Sequence, residues 1–149
     1  MSTTPTSNCY GFICAAINNS DQEMYKARNE LPSFPCLTRK LAKIHKNSEE
    51  TALKIFDILS GAKNRSHRKI FELFDESERS QHMALLDEMG KVYDQNGPDG
   101  EIRLKNNLEE LLREYRELFD TSYYQIHSLN PQQSENVTAF IKEYRDFMT

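Results

Sequence analysis

The chain has no tryptophan, only five glycines and five prolines, and three cysteines. It also lacks any long apolar run. A membrane-spanning helix needs about 20 predominantly apolar residues, and the longest apolar-rich stretch, 9–17, falls well short. No Lys or Arg precedes that stretch, so it does not read as the core of a secretory signal. The expected setting is cytoplasmic, where the sequons at Asn18, Asn64 and Asn136 would carry no glycan. An odd number of widely spaced cysteines reads as free thiols in a reducing compartment. Scarce glycine and proline argue against an all-β domain, whose many turns consume both.

What is present suits one ordinary domain of 149 residues, with 38% hydrophobic residues and too little net charge for a disordered chain. Residues 1–8 are polar and are expected to form a flexible tail, with 9–149 as a single helical domain. Charge is uneven. Residues 1–70 hold 11 Lys+Arg against 6 Asp+Glu (+5), and residues 71–149 hold the remaining 8 against 17 (−9), which together return the net −4. The basic half could attract the acidic half or an anionic partner.

Caps and periodicity predict helices along the chain. The stretch 9–17 is too short to assign to helix or strand. Ser20 and Glu23 have capping-box spacing, predicting a helix to about Glu30 that Pro32 and Pro35 stop. Leu37, Leu41 and Ile44 share one helical face of a segment reaching Lys46. Asn47 or Ser48 caps the next helix, with Leu53, Phe56 and Leu59 on one face and Gly61 at its end in a position that tolerates left-handed backbone. Ser66 and Ser77 are read as caps of two more, the second with Met83, Leu86, Met89 and Tyr93 on its apolar side. Leu104, Leu108, Leu111, Tyr115 and Leu118 are spaced 4, 3, 4, 3, a heptad stripe on a helix over 102–127. That helix would be roughly 37 Å long at ~1.5 Å per residue. Asn130, Pro131 and Gln133 open the last helix, whose face is Val137, Phe140, Ile141, Tyr144 and Phe147. The expected fold class is all-α, a compact bundle of about six or seven helices around the heptad-patterned one.

Signals of chemistry are sparse. The turn after Tyr93 has Asp94, Asn96, Asp99 and Gly100 but fits a calcium loop in neither register: one places Asn106 at the closing Glu position and the other puts Pro98 among the ligands. Cys9, Cys14, Cys36 and His45 are zinc-ligand types without knuckle spacing, so no metal and no cofactor is expected. Cys36 lies near a predicted helix start and close to Arg39 and Lys40, which would lower its pKa; His45 or His127 is a candidate base. Two basic groups, Arg39, Lys40, Lys43 and Lys46, then Lys63, Arg65, His67, Arg68 and Lys69, have the composition of an anion site for phospholipid headgroups or nucleic acid, although the chain as a whole is acidic. With no catalytic signature, the leading expectation is a non-enzymatic adaptor, inhibitor or effector that offers a helical groove to another protein. A homodimer through Leu104, Leu108, Leu111, Tyr115 and Leu118 is a further option, and nucleic acid or a membrane surface a less favoured partner. The alternatives are an enzyme with a thiol-based site around Cys36 and His45, or the anion binder.

Overall fold

A computed structural model describes residues 7–38, 41–87, 89–95, 101–105 and 107–148. It is not a helical bundle. Four helices, α1 (Cys9–Asn18), α2 (Ser48–Gly61), α3 (Leu108–Phe119) and α4 (Pro131–Met148), cover the two faces of a sheet. The strands are β1 (Ala42–Lys43), β2 (Lys69–Phe74), β3 (Ser80–Leu86), β4 (Val92–Gln95), β5 (Ile102–Lys105) and β6 (Tyr123–Ser128). They lie in the order β1-β6-β2-β3-β4-β5, and every pairing is antiparallel.

The three layers explain the misreading. β2 is buried at all six positions and β3 at its last five, because helices cover both faces. A strand buried on both sides shows no polar alternation, so its apolar run looks like a piece of buried helix. Ile70, Met83, Leu85 and Tyr93 point into one core with Phe12 and Ile13 of α1 and Val137, Phe140 and Ile141 of α4. Phe71, Leu73, Ala84, Leu86 and Ile126 point into the other, with Ile55 and Leu59 of α2 and Leu108, Leu111 and Tyr115 of α3. Each of these Ile, Leu, Val, Met and Phe side chains, fully buried, contributes about 1.5–3 kcal/mol.

Several expectations change accordingly. The predicted helix over 102–127 is three elements, β5, α3 and β6. Leu104 packs toward the α1/α4 core, whereas Leu108, Leu111 and Tyr115 pack in the α2/α3 core, so the stripe is split across the sheet. The Leu118 side chain, like those of Tyr144 and Phe147, lies outside the described residues. In place of a helix over 20–30 there are two 3-10 turns, Asp21–Glu23 and Arg28–Glu30, and the Ser20 side chain makes no cap. The segment 37–46 carries β1 rather than a helix. Ser66 and Ser77 precede β2 and β3; the hairpin between these strands closes where Glu78 adopts a left-handed φ of 64°. In α2 the buried face is Ser48, Thr51, Ala52, Ile55 and Leu59, and Leu53 is exposed. Gly61 is the last helical residue, without positive φ.

Other readings hold. Asn47 caps α2 by accepting from the Glu49 amide at 3.0 Å. Asn130 accepts from the Gln133 amide at 2.7 Å while the Gln133 side chain accepts from the Asn130 amide at 3.1 Å, so α4 opens as its residue types require. Stretch 9–17, left open between helix and strand by its length, is helix, and no described helix is long and apolar enough to cross a membrane. Residues 1–6 and the turn 96–100 lie outside the described residues; Ser7 accepts from the Gln95 side chain and Asn8 caps α1.

Candidate functional site

The most reactive geometry lies at the β6 edge, on the α1/α4 face. After Pro35 the chain runs beside β6. The Leu37 amide donates to the Ile126 carbonyl at 2.8 Å, and the Ser128 amide donates to the Pro35 carbonyl at 2.7 Å. Cys36 and His127 therefore face each other as a non-hydrogen-bonded antiparallel pair, the kind whose side chains come closest. Cys36 Sγ lies 3.2 Å from His127 Nδ1. On the other side of the ring, Nε2 lies 2.9 Å from Glu72 Oε1. Glu72 belongs to β2, where it pairs with Gln125, so it is the diagonal neighbour of His127 on the same face. Its second oxygen accepts from Arg28 Nε at 2.9 Å.

Charge and burial settle the direction of this relay. Glu72 has no exposed surface and His127 is 5% exposed, while Cys36 is exposed. Burial pushes the Glu72 carboxyl up, but hydrogen bonds from His127, Arg28 and Ser80 together hold it below the ordinary carboxylate range. An ionised Glu72 accepts a hydrogen bond from His127 Nε2–H, which leaves Nδ1 with a lone pair aimed at the thiol. Burial, then the nearby Glu72 charge, raises the Cys36 thiol above its ordinary value. The resting pair is thus a protonated thiol beside a basic nitrogen. Phe34 packs against the ring of His127, with centroids 6.2 Å apart. Tyr10 hydrogen-bonds Ser80 at 3.0 Å behind Glu72.

A second histidine–carboxylate unit occupies the opposite face. His82 Nε2 meets Asp94 Oδ2 at 2.8 Å, Arg103 donates to both oxygens of Asp94 and both of Glu114, and Lys105 donates to Glu114. Tyr115 stacks on the His82 ring with centroids 4.0 Å apart. His82 and Asp94 are buried, and the unit spans β3, β4, β5 and α3. It ties α3 to the sheet; the Cys36 unit reaches solvent.

The predicted site residues separate. Cys36 is at a strand edge, not a helix start, and its partner is His127. His45 accepts from Lys54 Nζ at 2.8 Å instead. Arg39 and Lys40 lie outside the described residues. Lys43 and Lys46 are exposed and line, with Ile44, His45, Glu76 and Arg116, an open groove of about 620 Å³. Lys63 and Arg65 are exposed on the turn before β2. His67 borders a second groove at the start of α4. Arg68 donates to Thr138 at 3.2 Å and lies 5.5 Å from the Tyr93 ring. Lys69 is buried and donates to the Asn64 and His67 carbonyls at 2.9 and 2.6 Å. The second basic group is therefore partly spent on anchoring β2.

Sequence reasoning missed Glu72 and Arg28. One signal was available: a carboxylate in the middle of Ile70, Phe71, Leu73 and Phe74 must find partners if that run is buried. Seeing it required reading the run as a central strand. No family model, curated protein or solved structure matches this chain.

Proposed function

We propose that the chain is a thiol-dependent acyl-transfer enzyme that cleaves amide or ester bonds, with Cys36 as nucleophile, His127 as general base and Glu72 orienting the imidazole. The observation that carries this reading is the unbroken contact series from Cys36 Sγ through His127 to the buried Glu72, at 3.2 and 2.9 Å. It has the roles of a nucleophile, a base and a third group that orients the base. The docking function expected from the sequence rested on a groove between bundled helices, which is not the architecture.

Each group then has one task. As Cys36 Sγ bonds to the substrate carbonyl carbon, its proton passes to His127 Nδ1. Glu72, held ionised by Arg28, stabilises the imidazolium. The imidazolium returns the proton to the departing amine or alcohol as the carbonyl–heteroatom bond breaks, leaving a thioester on Cys36. Water, deprotonated by the same nitrogen, hydrolyses the thioester and restores the thiol. A reducing, cytoplasmic setting belongs to this reading, because an exposed Cys36 must stay unoxidised.

The test is a pre-steady-state assay with p-nitrophenyl acetate. Wild-type protein is expected to release a burst of about one nitrophenol per chain, the fingerprint of an accumulating acyl-enzyme. Cys36→Ser should abolish the burst, and His127→Ala should slow it at least tenfold, within the usual ~10²–10⁴-fold worth of general base catalysis. A folded wild-type protein with no burst, or His127→Ala acylating at the wild-type rate, would refute the proposal.

A further inference from the structure

The opposite end of β6 carries a second site, made of residues that the thiol unit does not use. β1 pairs Lys43 with Tyr123, and the Ile44 amide donates to the Ser122 carbonyl at 2.9 Å, so residues 43–46 run beside 121–122. Arg116 reaches them from the last turn of α3. Its Nη1 donates to the His45 carbonyl at 3.0 Å and to the Lys46 carbonyl, which fastens this segment to α3. Together with Glu76, from the β2–β3 hairpin, these segments line the groove of about 620 Å³.

The cations of the groove are not neutralised from within. Lys43 and Lys46 are exposed and Arg116 is half-buried, and among the described residues none of the three forms an ion pair with a carboxylate. Glu76 and Asp120 also line the groove, but both are exposed and neither is paired with these cations. A guanidinium held by two carbonyls keeps its full charge and offers its other N–H groups in a fixed orientation. Thr121 lines the groove as well. It is only 5% exposed, and its buried hydroxyl has no hydrogen-bond partner among the described residues. A buried hydroxyl without a partner destabilises a fold, and a ligand oxygen accepting from it would remove that cost. Lys54 donates to His45 Nε2 at 2.8 Å, which leaves the imidazole proton on Nδ1 and gives the groove wall a neutral donor.

We infer that this groove binds the phosphate group of a small, polar phosphate monoester, with Lys43, Lys46 and Arg116 opposing its charge and the Thr121 hydroxyl donating to one of its oxygens. Donors from three segments suit a dianion with several terminal oxygens. The groove is larger than one phosphate and falls within the roughly 300–1,000 Å³ of small-molecule sites. Apart from Ile44 its lining residues are polar or charged, so the remainder of the ligand is polar. A membrane surface or nucleic acid fits less well. A polyanion broad enough to cover the groove would also meet Glu76, Asp120 and, in the first turn of α2, the exposed Glu49 and Glu50. Binding here does not depend on the Cys36 chemistry.

Isothermal titration calorimetry of the full chain near neutral pH, in a buffer free of phosphate, tests this. At least one of glycerol phosphate, ribose phosphate and phosphoserine is expected to bind with a Kd below about 1 mM. Inorganic phosphate should bind that site at least about tenfold more weakly, and glycerol, ribose and serine not at all. Raising salt from about 50 to about 300 mM should weaken the ester at least about threefold, because Lys43 and Lys46 are exposed to screening. Lys43→Gln/Lys46→Gln should cost at least about tenfold in affinity and leave the melting temperature unchanged. Thr121→Val removes the hydroxyl at nearly constant volume. The free protein should then melt at the wild-type temperature or above it, while the ester binds at least about threefold more weakly. No ester bound below about 10 mM, inorganic phosphate matching the tightest ester, or wild-type affinity in either variant would overturn the inference. So would retention of the chain on vesicles containing phosphatidic acid without binding of any soluble ester.

Discussion

Glu72 is fully buried yet ionised, and the Asp94 carboxylate on the other face is in the same condition. Both have folded-state pKa values below their ordinary 4.5 and 3.8, so the unfolded chain binds protons more readily than the folded one. Their stabilising contribution is present above those ordinary values and is lost as pH falls through the lower folded ones. The urea midpoint should therefore be level near neutrality and decline below about pH 4.5. A Glu72→Gln/Asp94→Asn protein should lose stability at neutral pH and show a flatter decline; an unchanged acid slope would mean that other groups set it. Glu72→Gln alone removes the charge that holds His127 and leaves the Arg28 guanidinium without its carboxylate. We expect a cost of about 1–3 kcal/mol in urea unfolding, together with slower acylation of Cys36. The cysteines make a further residue-scale prediction. Cys9 and Cys14 are buried, and burial pushes Cys9 up to about 11, while Cys36 is exposed. Native protein at pH 8 should release one equivalent of thionitrobenzoate quickly from Ellman's reagent, and the other two only on unfolding. Three fast thiols would contradict the packing of α1.

At the scale of elements, α1 and the segment 20–31 depend on one another. A Cβ on Gly11 would lie 1.7 Å from the Met24 carbonyl oxygen, so only glycine lets the α1 backbone approach that segment. The same segment delivers Arg28 to Glu72. Gly11→Ala should lower stability by roughly 1–3 kcal/mol, as overpacked interiors do, and should speed proteolytic cleavage within 20–31; a variant with wild-type melting temperature and protease resistance would exclude this coupling. Element scale is also where legibility divides. The Asn47 and Asn130 caps act through neighbours two and three residues away, so α2 and the start of α4 could be read from local spacing. Lys69–Phe74 could not, because its identity as a strand depends on β3 and β6 flanking it and on helices covering both faces.

Across the whole molecule, the last strand in sequence is one of the central strands in space. β6 lies between β1 and β2, so the sheet cannot close until residue 128 has been made. A chain ending at residue 120 would leave the β2 edge and both cores open, and it should show no cooperative thermal transition by circular dichroism; a sigmoidal melt from such a fragment would disprove the dependence. The charge asymmetry reads differently at this scale. Arg28–Glu72 is an ion pair that joins the basic first half to the acidic second half. The larger network of Arg103, Lys105, Asp94 and Glu114 lies wholly within the second half. Lys43 and Lys46, from the basic half, are exposed.

Local spacing was enough to determine the helix caps at Asn47 and Asn130, the supply of bulky apolar side chains for a core, and the absence of any described helix able to cross a membrane. It also singled out Cys36 as a thiol to watch. Only the tertiary structure decided that the apolar runs at 69–74, 80–86 and 123–128 are neighbouring strands, and hence that His127 rather than His45 stands opposite Cys36. The physical reason is that a helix end is stabilised by residues within one turn, whereas a two-sided strand and a relay running from residue 28 to residue 127 exist only through partners brought together by the fold.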